Sequence, residues 1–240
     1  MFWIGYEIDK FLQDSYFEKI SRKFKQSQKI PPPSYVAWDA TRRCNLHCIH
    51  CWASKERYDD ELTANDLKTL IDELWDMKVK NFWATWWEPL LRNDFFEIFD
   101  YARQKWLATT LASNWFLIDK SMSKKIKDVW ISSVQISIDG DESIHNEIRW
   151  NKFSFERMIN AFKNLKENEI PLISASTVVS DKNIESLEKI RDILLDIGIK
   201  YRKIVIPMPI WRAQDNWVSI KPSQIQKVFK FIFQNKDKIN

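Results

Sequence analysis

The chain has 240 residues, 45% of them hydrophobic and 29% charged, and a net charge of +4. This is ordinary globular chemistry for one large domain or two small ones, with core enough to need no staples. The mild positive balance is spread along the chain and gives no clear support for nucleic-acid binding. Met1–Glu7 lacks the basic region and long apolar run of a signal peptide, and no window approaches 18 apolar residues, so no membrane partner is expected.

Residues 7–26 read as an amphipathic helix, with Ile8, Phe11, Leu12, Tyr16, Phe17 and Ile20 at helical spacing. Pro31, Pro32 and Pro33 stop it and act as a stiff linker. Strands are then predicted over 35–41, 80–85, 108–112, 133–138, 172–179 and 201–206. Between them helices are predicted over 63–77, 93–105, 121–128, 153–167 and 184–197, and a last one over 223–233. Thr63 with Asp66 three residues on reads as an N-cap, and Gly198 closes its helix. Six strands alternating with helices indicate an α/β fold of parallel βαβ units, and in such folds ligands gather at the C-terminal ends of the strands.

The first strand delivers Arg42-Arg43-Cys44-Asn45-Leu46-His47-Cys48-Ile49-His50-Cys51-Trp52, which holds all three cysteines of the chain. Three thiols on one loop can converge on one metal centre, and an odd number cannot pair completely as disulfides. Three is also one ligand short of a closed site, so either another ligand completes the set or the centre is left open. Zinc held by Cys44, Cys48, Cys51 and either His47 or His50 is one alternative. Clustered thiols without export point to a cytoplasmic location.

Glycine is scarce and tryptophan abundant, at 3 and 13 residues. A chain this long should carry about 17 glycines at the usual ~7%, close to the two counts combined. Several tryptophans also stand where glycine is expected. Asn114-Trp115 reads as an Asn-Gly turn, Trp75 ends a helical pattern, and Trp86-Trp87 lies in a tight strand-end turn. The reading that follows is that most are glycine in the native protein, through a UGA codon that the host reads as glycine. Trp38, inside a strand, is the one most in keeping with a genuine tryptophan.

The C-x3-C-x2-C spacing, with Asn45 and Leu46 after the first cysteine, resembles the cluster loop of the radical S-adenosylmethionine (SAM) superfamily. Later strand ends follow in the family's order. With glycines at 86 and 87, Thr85-Trp86-Trp87-Glu88-Pro89-Leu90 resembles its Gly-Gly-Glu-Pro motif, and Ser113-Asn114-Trp115 its Ser/Thr-Asn-Gly turn. Ser137-Ile138-Asp139-Gly140, followed by His145 and Arg149-Trp150, resembles members that modify peptides or tetrapyrroles. Trp211-Arg212-Ala213 resembles the segment before a cysteine-rich SPASM extension.

The resemblance implies a partial (β/α)6 TIM-like barrel of the radical SAM type. Its segments would be an N-terminal helix and proline linker over 1–33, a core over 34–215, and a C-terminal helix over 216–240 that could begin a missing extension. It implies a [4Fe-4S] cluster held by Cys44, Cys48 and Cys51, with SAM on the fourth iron. Trp86, Trp87 and Glu88 would receive the SAM amino group. Ser113, Asn114, Ser137, Arg149 and His50 would contact the rest of the cofactor, with His50 near the adenine and His145 structural. An external flavodoxin- or ferredoxin-like donor would supply one electron, SAM would cleave to a 5′-deoxyadenosyl radical, and the radical would take hydrogen from a peptide or small-molecule substrate. The alternative is a cluster- or zinc-binding domain without radical catalysis.

Overall fold

The computed structural model describes residues 31–51, 61–208 and 210–237, and the unit carrying the strands begins at Ser34. The helix predicted over 7–26 lies outside the described residues. Among the described residues there are six strands: β1 (Tyr35–Asp39), β2 (Asn81–Thr85), β3 (Ala108–Ser113), β4 (Ser133–Ser137), β5 (Leu172–Val178) and β6 (Tyr201–Val205). They form one sheet in the order β1-β2-β3-β4-β5-β6, and every neighbouring pair is parallel. The helices between them are α1 (Ala64–Asp76), α2 (Phe95–Gln104), α3 (Lys120–Asp128), α4 (Glu142–Arg149), α5 (Ser154–Glu167) and α6 (Leu187–Asp196), followed by α7 (Trp211–Asp215) and α8 (Pro222–Asn235). The curled sheet with helices outside is a partial TIM-like barrel, as the resemblance implied.

The period of two sorts the strands into two faces. Phe82, Ala84, Leu111, Val134, Ile136 and Ala175 are buried under the helices, where Phe99 and Ile98 of α2 and Phe162 of α5 meet them. Trp38 joins this layer, its ring stacked on Phe82 at 5.6 Å between centroids. The opposite face carries small and polar residues, among them Thr85, Gln135, Ser137 and Ser176, which line a cavity at the C-terminal strand ends. Thr63 caps α1 with the reciprocal Thr63–Asp66 box expected from the sequence.

Two helices were missed by the periodicity. Helix α4 is short, but Asp141 caps it by accepting from the Ile144 amide at 3.2 Å, and Ile144 and Ile148 share a face. Gly140 lets it fold back tightly: a Cβ there would stand 2.6 Å from Ile144 Cβ. Helix α7 spans only five residues, too few to show a period.

The helix ends bear directly on the tryptophan excess. At Gly198, φ is +73°, the Gly198 amide donates to Leu195 and the Ile199 amide to Leu194. This is a Schellman end, which favours glycine because other residues crowd in the left-handed region. Trp106, Trp130, Trp150 and Trp217 repeat the same pair of bonds with φ of 61°, 56°, 54° and 54°. Trp86, Trp87 and Trp115 also have positive φ, so seven of the nine non-glycine residues with positive φ among the described residues are tryptophan. Such a conformation is a genuine outlier for a bulky residue.

A pair of substitutions measures the strain. Trp130 is exposed, so Trp130→Gly removes little packing and should stabilise the chain by about 1 kcal/mol. Gly198→Ala should cost about the same in the opposite sense. Urea unfolding midpoints read both. Equal and negligible shifts would show that the left-handed ends carry no strain.

Candidate active site

The loop after β1 is tied to its neighbours before any cofactor is considered. The Glu88 amide donates to Arg43 O at 3.1 Å, the Arg92 guanidinium to Ala40 O at 3.1 Å, and the Ile49 amide to Ile148 O at 2.9 Å. These bonds hold Cys44, Cys48 and Cys51 against one cavity of about 190 Å3. The same cavity is lined by Trp86, Trp87, Ser113, Asn114, Ser137, Arg149 and His50, so all seven of the sequence-predicted cofactor residues other than Glu88 join the three cysteines at one mouth.

The sulfurs are met by donors. Cys44 Sγ lies 3.5 Å from the Leu46 amide and 3.5 Å from Asn114 Nδ2, and Cys48 Sγ lies 3.6 Å from Arg149 Nη1. Nitrogen donors aimed at sulfur suit thiolates, the form that ligates metal. Burial pushes the free Cys44 thiol up to about 12, and burial likewise raises Cys48 although Arg149 draws it back. A metal or cluster must therefore displace those protons on binding. The donor set, one buried and two half-buried thiols with N–H groups directed at Cys44 and Cys48, fits a thiolate-held iron–sulfur group.

Glu88 sits behind the cavity rather than in its lining. Its carboxylate is fully buried and accepts from the Asn114 amide at 2.7 Å, the Leu90 amide at 3.1 Å and the Ser113 hydroxyl at 3.0 Å. It thus ties the end of β2 to the end of β3. Asn114 continues the brace, with Nδ2 donating to Asn45 Oδ1 at 2.7 Å in the cysteine loop. Sequence reasoning assigns Glu88 to a ligand ammonium; in the structure its carboxylate accepts from three protein donors.

Burial pushes the Glu88 carboxyl up to about 7, against the pull of those three donors. The folded chain then holds a proton that the unfolded chain releases above pH 4.5, so this group destabilises the fold as pH rises from 4.5 through about 7. The full effect is about 3 kcal/mol. Burial lowers His50 to about 4 and His145 to about 3, which works in the opposite direction below pH 6.5. The diagnostic is therefore a difference: urea stability of Glu88→Gln should fall less between pH 5 and 8 than that of the parent. Parallel curves would remove Glu88 as the titrating group.

Asp139 was read only as part of a turn. It is fully buried, and Oδ2 accepts from Arg149 Nε at 2.6 Å and Nη2 at 2.5 Å, while Oδ1 accepts from the Val178 amide at 3.2 Å. Burial alone would raise its carboxyl; Arg149, with His50 and His145 nearby, holds it below the usual carboxylate range. Asn183, also missed, donates to both Asp139 O and Val178 O at 2.9 Å and locks this corner. His145 accepts from the Asp139 amide at 3.1 Å and is fully buried behind Trp115, a structural position. The turn motif contains Asp139 but does not give its role, because the Val178 amide that fixes it lies 39 residues on, and Asn183 reaches it across 44.

A parallel sheet curled into a partial barrel, with a three-thiol loop at its C-terminal mouth, is the frame of an α/β protein with a candidate metal site. The chain belongs to the radical SAM superfamily, whose family model matches residues 38–194. It is 32% identical over 179 residues to the Fe-coproporphyrin III synthase of Methanosarcina barkeri, covering 74% of this chain and 44% of that protein. It is 29% identical over 212 residues to mycofactocin maturase MftC of Mycolicibacterium smegmatis, covering 88% of this chain and 54% of that protein. The chain thus spans about half the length of these curated relatives. Among solved structures, Streptococcus suis SuiB bound to S-adenosylmethionine has the same fold, with a TM-score of 0.73 at 16% identity, over 91% of this chain and 52% of that one. Among the described residues, no helix is long and apolar enough to cross a membrane.

Proposed function

We propose that the chain carries out reductive cleavage of SAM at a [4Fe-4S] cluster for hydrogen abstraction, in peptide maturation or tetrapyrrole modification. The observation that carries this reading is the convergence of Cys44, Cys48 and Cys51 with Trp86, Trp87, Ser113, Asn114, Ser137 and Arg149 on one cavity. When bound, the cluster and SAM supply one-electron cleavage of the sulfonium and a 5′-deoxyadenosyl radical. The chain's own residues hold, orient and shield. Cys44, Cys48 and Cys51 would hold the cluster, with SAM bound beside it. Positions 86 and 87 offer backbone carbonyls to the ammonium, Glu88 keeps that turn in place, and Ser113, Asn114 and Ser137 present polar groups along the wall. His50, neutral because burial lowers it to about 4, offers a flat surface to the adenine.

Residues 86 and 87 serve this role as glycines. We read Trp86, Trp87, Trp106, Trp115, Trp130, Trp150 and Trp217 as glycine in the native protein, since all seven have positive φ. The indole nitrogen of Trp115 is also buried with no hydrogen-bond partner, a cost that glycine avoids. The gene decides this: UGA codons at the seven positions support it, and UGG codons would end it. The electron comes from an external flavodoxin- or ferredoxin-like protein. The maturase and synthase names of the relatives support a peptide or tetrapyrrole substrate.

One observation favours a second reading, a metal-binding domain without radical chemistry: the Trp86 and Trp87 rings stand in the cavity itself. Anaerobic reconstitution separates the two. Iron and sulfide uptake, followed by 5′-deoxyadenosine on addition of SAM and dithionite, supports the enzyme. Bound zinc with no 5′-deoxyadenosine supports the alternative.

A further inference from the structure

The Asp139–Arg149 pair is unusual in its surroundings. The side chains are 0% and 7% exposed, and burying two charges costs more than a surface pair of the same geometry. A buried ion pair is therefore poor evidence of a purely stabilising role. Its third contact is what distinguishes it. Two guanidinium nitrogens, Nε and Nη2, are taken by Asp139 Oδ2, and the remaining Nη1 points to Cys48 Sγ at 3.6 Å. Asp139 is in turn immobilised by the Val178 amide, and its backbone oxygen by Asn183. The guanidinium cannot swing into the cavity without breaking two charge-assisted bonds. The arrangement presents a fixed positive end to one thiolate of the cysteine loop, where Cys44 receives neutral amide donors.

Iron–sulfur potentials follow the net charge of the surroundings and the hydrogen bonds to the ligand sulfurs. Reduction adds one electron, from an external donor, and takes the cluster from the 2+ to the + state. Negative charge on the sulfurs rises, so a cation against a sulfur stabilises the reduced state more than the oxidised one. We propose that Arg149, oriented by Asp139, is a positioning residue that raises the reduction potential of the cluster through Cys48. This rests on the reading that Cys44, Cys48 and Cys51 hold a cluster.

The test is a potentiometric titration followed by electron paramagnetic resonance, on the anaerobically reconstituted full chain without SAM. The neutral double variant Asp139→Asn/Arg149→Gln should shift the reduction equilibrium about tenfold toward the oxidised state, ~59 mV lower for a one-electron couple. Arg149→Lys, which keeps the charge, should shift it by less than half as much. An unchanged midpoint in the double variant at equal iron and sulfide content overturns the proposal, as does a lysine variant that shifts as far as the neutral one. Should the double variant take up no cluster, Arg149→Gln alone decides: the midpoint must fall, and a rise or no change overturns the proposal. A parent chain that takes up neither iron nor sulfide overturns the cluster reading instead.

Discussion

Replacing Trp86 and Trp87 with glycine should convert a chain that binds SAM poorly into one that binds it at least about 100-fold more tightly, roughly 2.8 kcal/mol. The first reason is space. The cavity of about 190 Å3 is below the ~300–1,000 Å3 usual for small-molecule sites. Two of its walls are indoles whose ring centroids lie 5.7 Å apart. Each such ring covers roughly 150–250 Å2, so removing both opens the mouth beside the cysteines. The second reason is the backbone. At φ of 65° and 43°, both residues occupy a region that costs a side-chain-bearing residue about 1–2 kcal/mol. Glycine adopts it freely, and it leaves the carbonyls of this turn open to an ammonium. Equilibrium dialysis of radiolabelled SAM against the cluster-loaded protein reads the difference. Equal affinity in the two forms would mean that the turn does not receive SAM.

The second large effect concerns the thiols. Cys44→Ala, Cys48→Ala or Cys51→Ala should each abolish stable cluster uptake and lower 5′-deoxyadenosine formation by at least about 10^3-fold, roughly 4 kcal/mol in the barrier. The three side chains act as a unit, so each single loss should be nearly as damaging as all three. His50→Ala separates this from a zinc site. It should leave iron content unchanged, because His50 lines the cavity without being needed as a ligand. Loss of all metal from the His50 variant, with cysteines intact, would transfer the case to a Cys3His zinc centre.

These expectations differ in how visible they were beforehand. The cysteine loop is legible because its three donors lie within eight residues, Cys44 to Cys51, and no folding is needed to bring them near one another. The tryptophan anomaly is legible from composition, and Trp115, Trp86 and Trp87 from their turn positions. Trp106, Trp130 and Trp217 were not singled out, because the helix ends at which they sit become evident only when the Schellman bonds are seen. Trp75, which the pattern suggested as a helix-end glycine, lies inside α1, and the positive φ falls three residues later at Lys78. Glu88 shows the limit from the other side. Its motif marked it as important, but whether it faces ligand or protein depended on how closely the end of β3 approaches.

What the sequence determined alone is therefore local: alternating strands and helices, a loop of three thiols, and a set of backbone positions at odds with the residues encoded there. Spacing along the chain is enough for each, since neighbours in sequence cannot be far apart in space. What only the tertiary structure decided is the electrostatic surroundings of the thiols. Arg149 reaches Cys48 across 101 residues, and Asp139 meets Val178 across 39. Those contacts exist because parallel pairing sets β4 beside β5 in one register, with Ser137 opposite Ser176, and carries α4 back over the cysteine loop. Register is a property of the assembled sheet, fixed by packing on both of its faces.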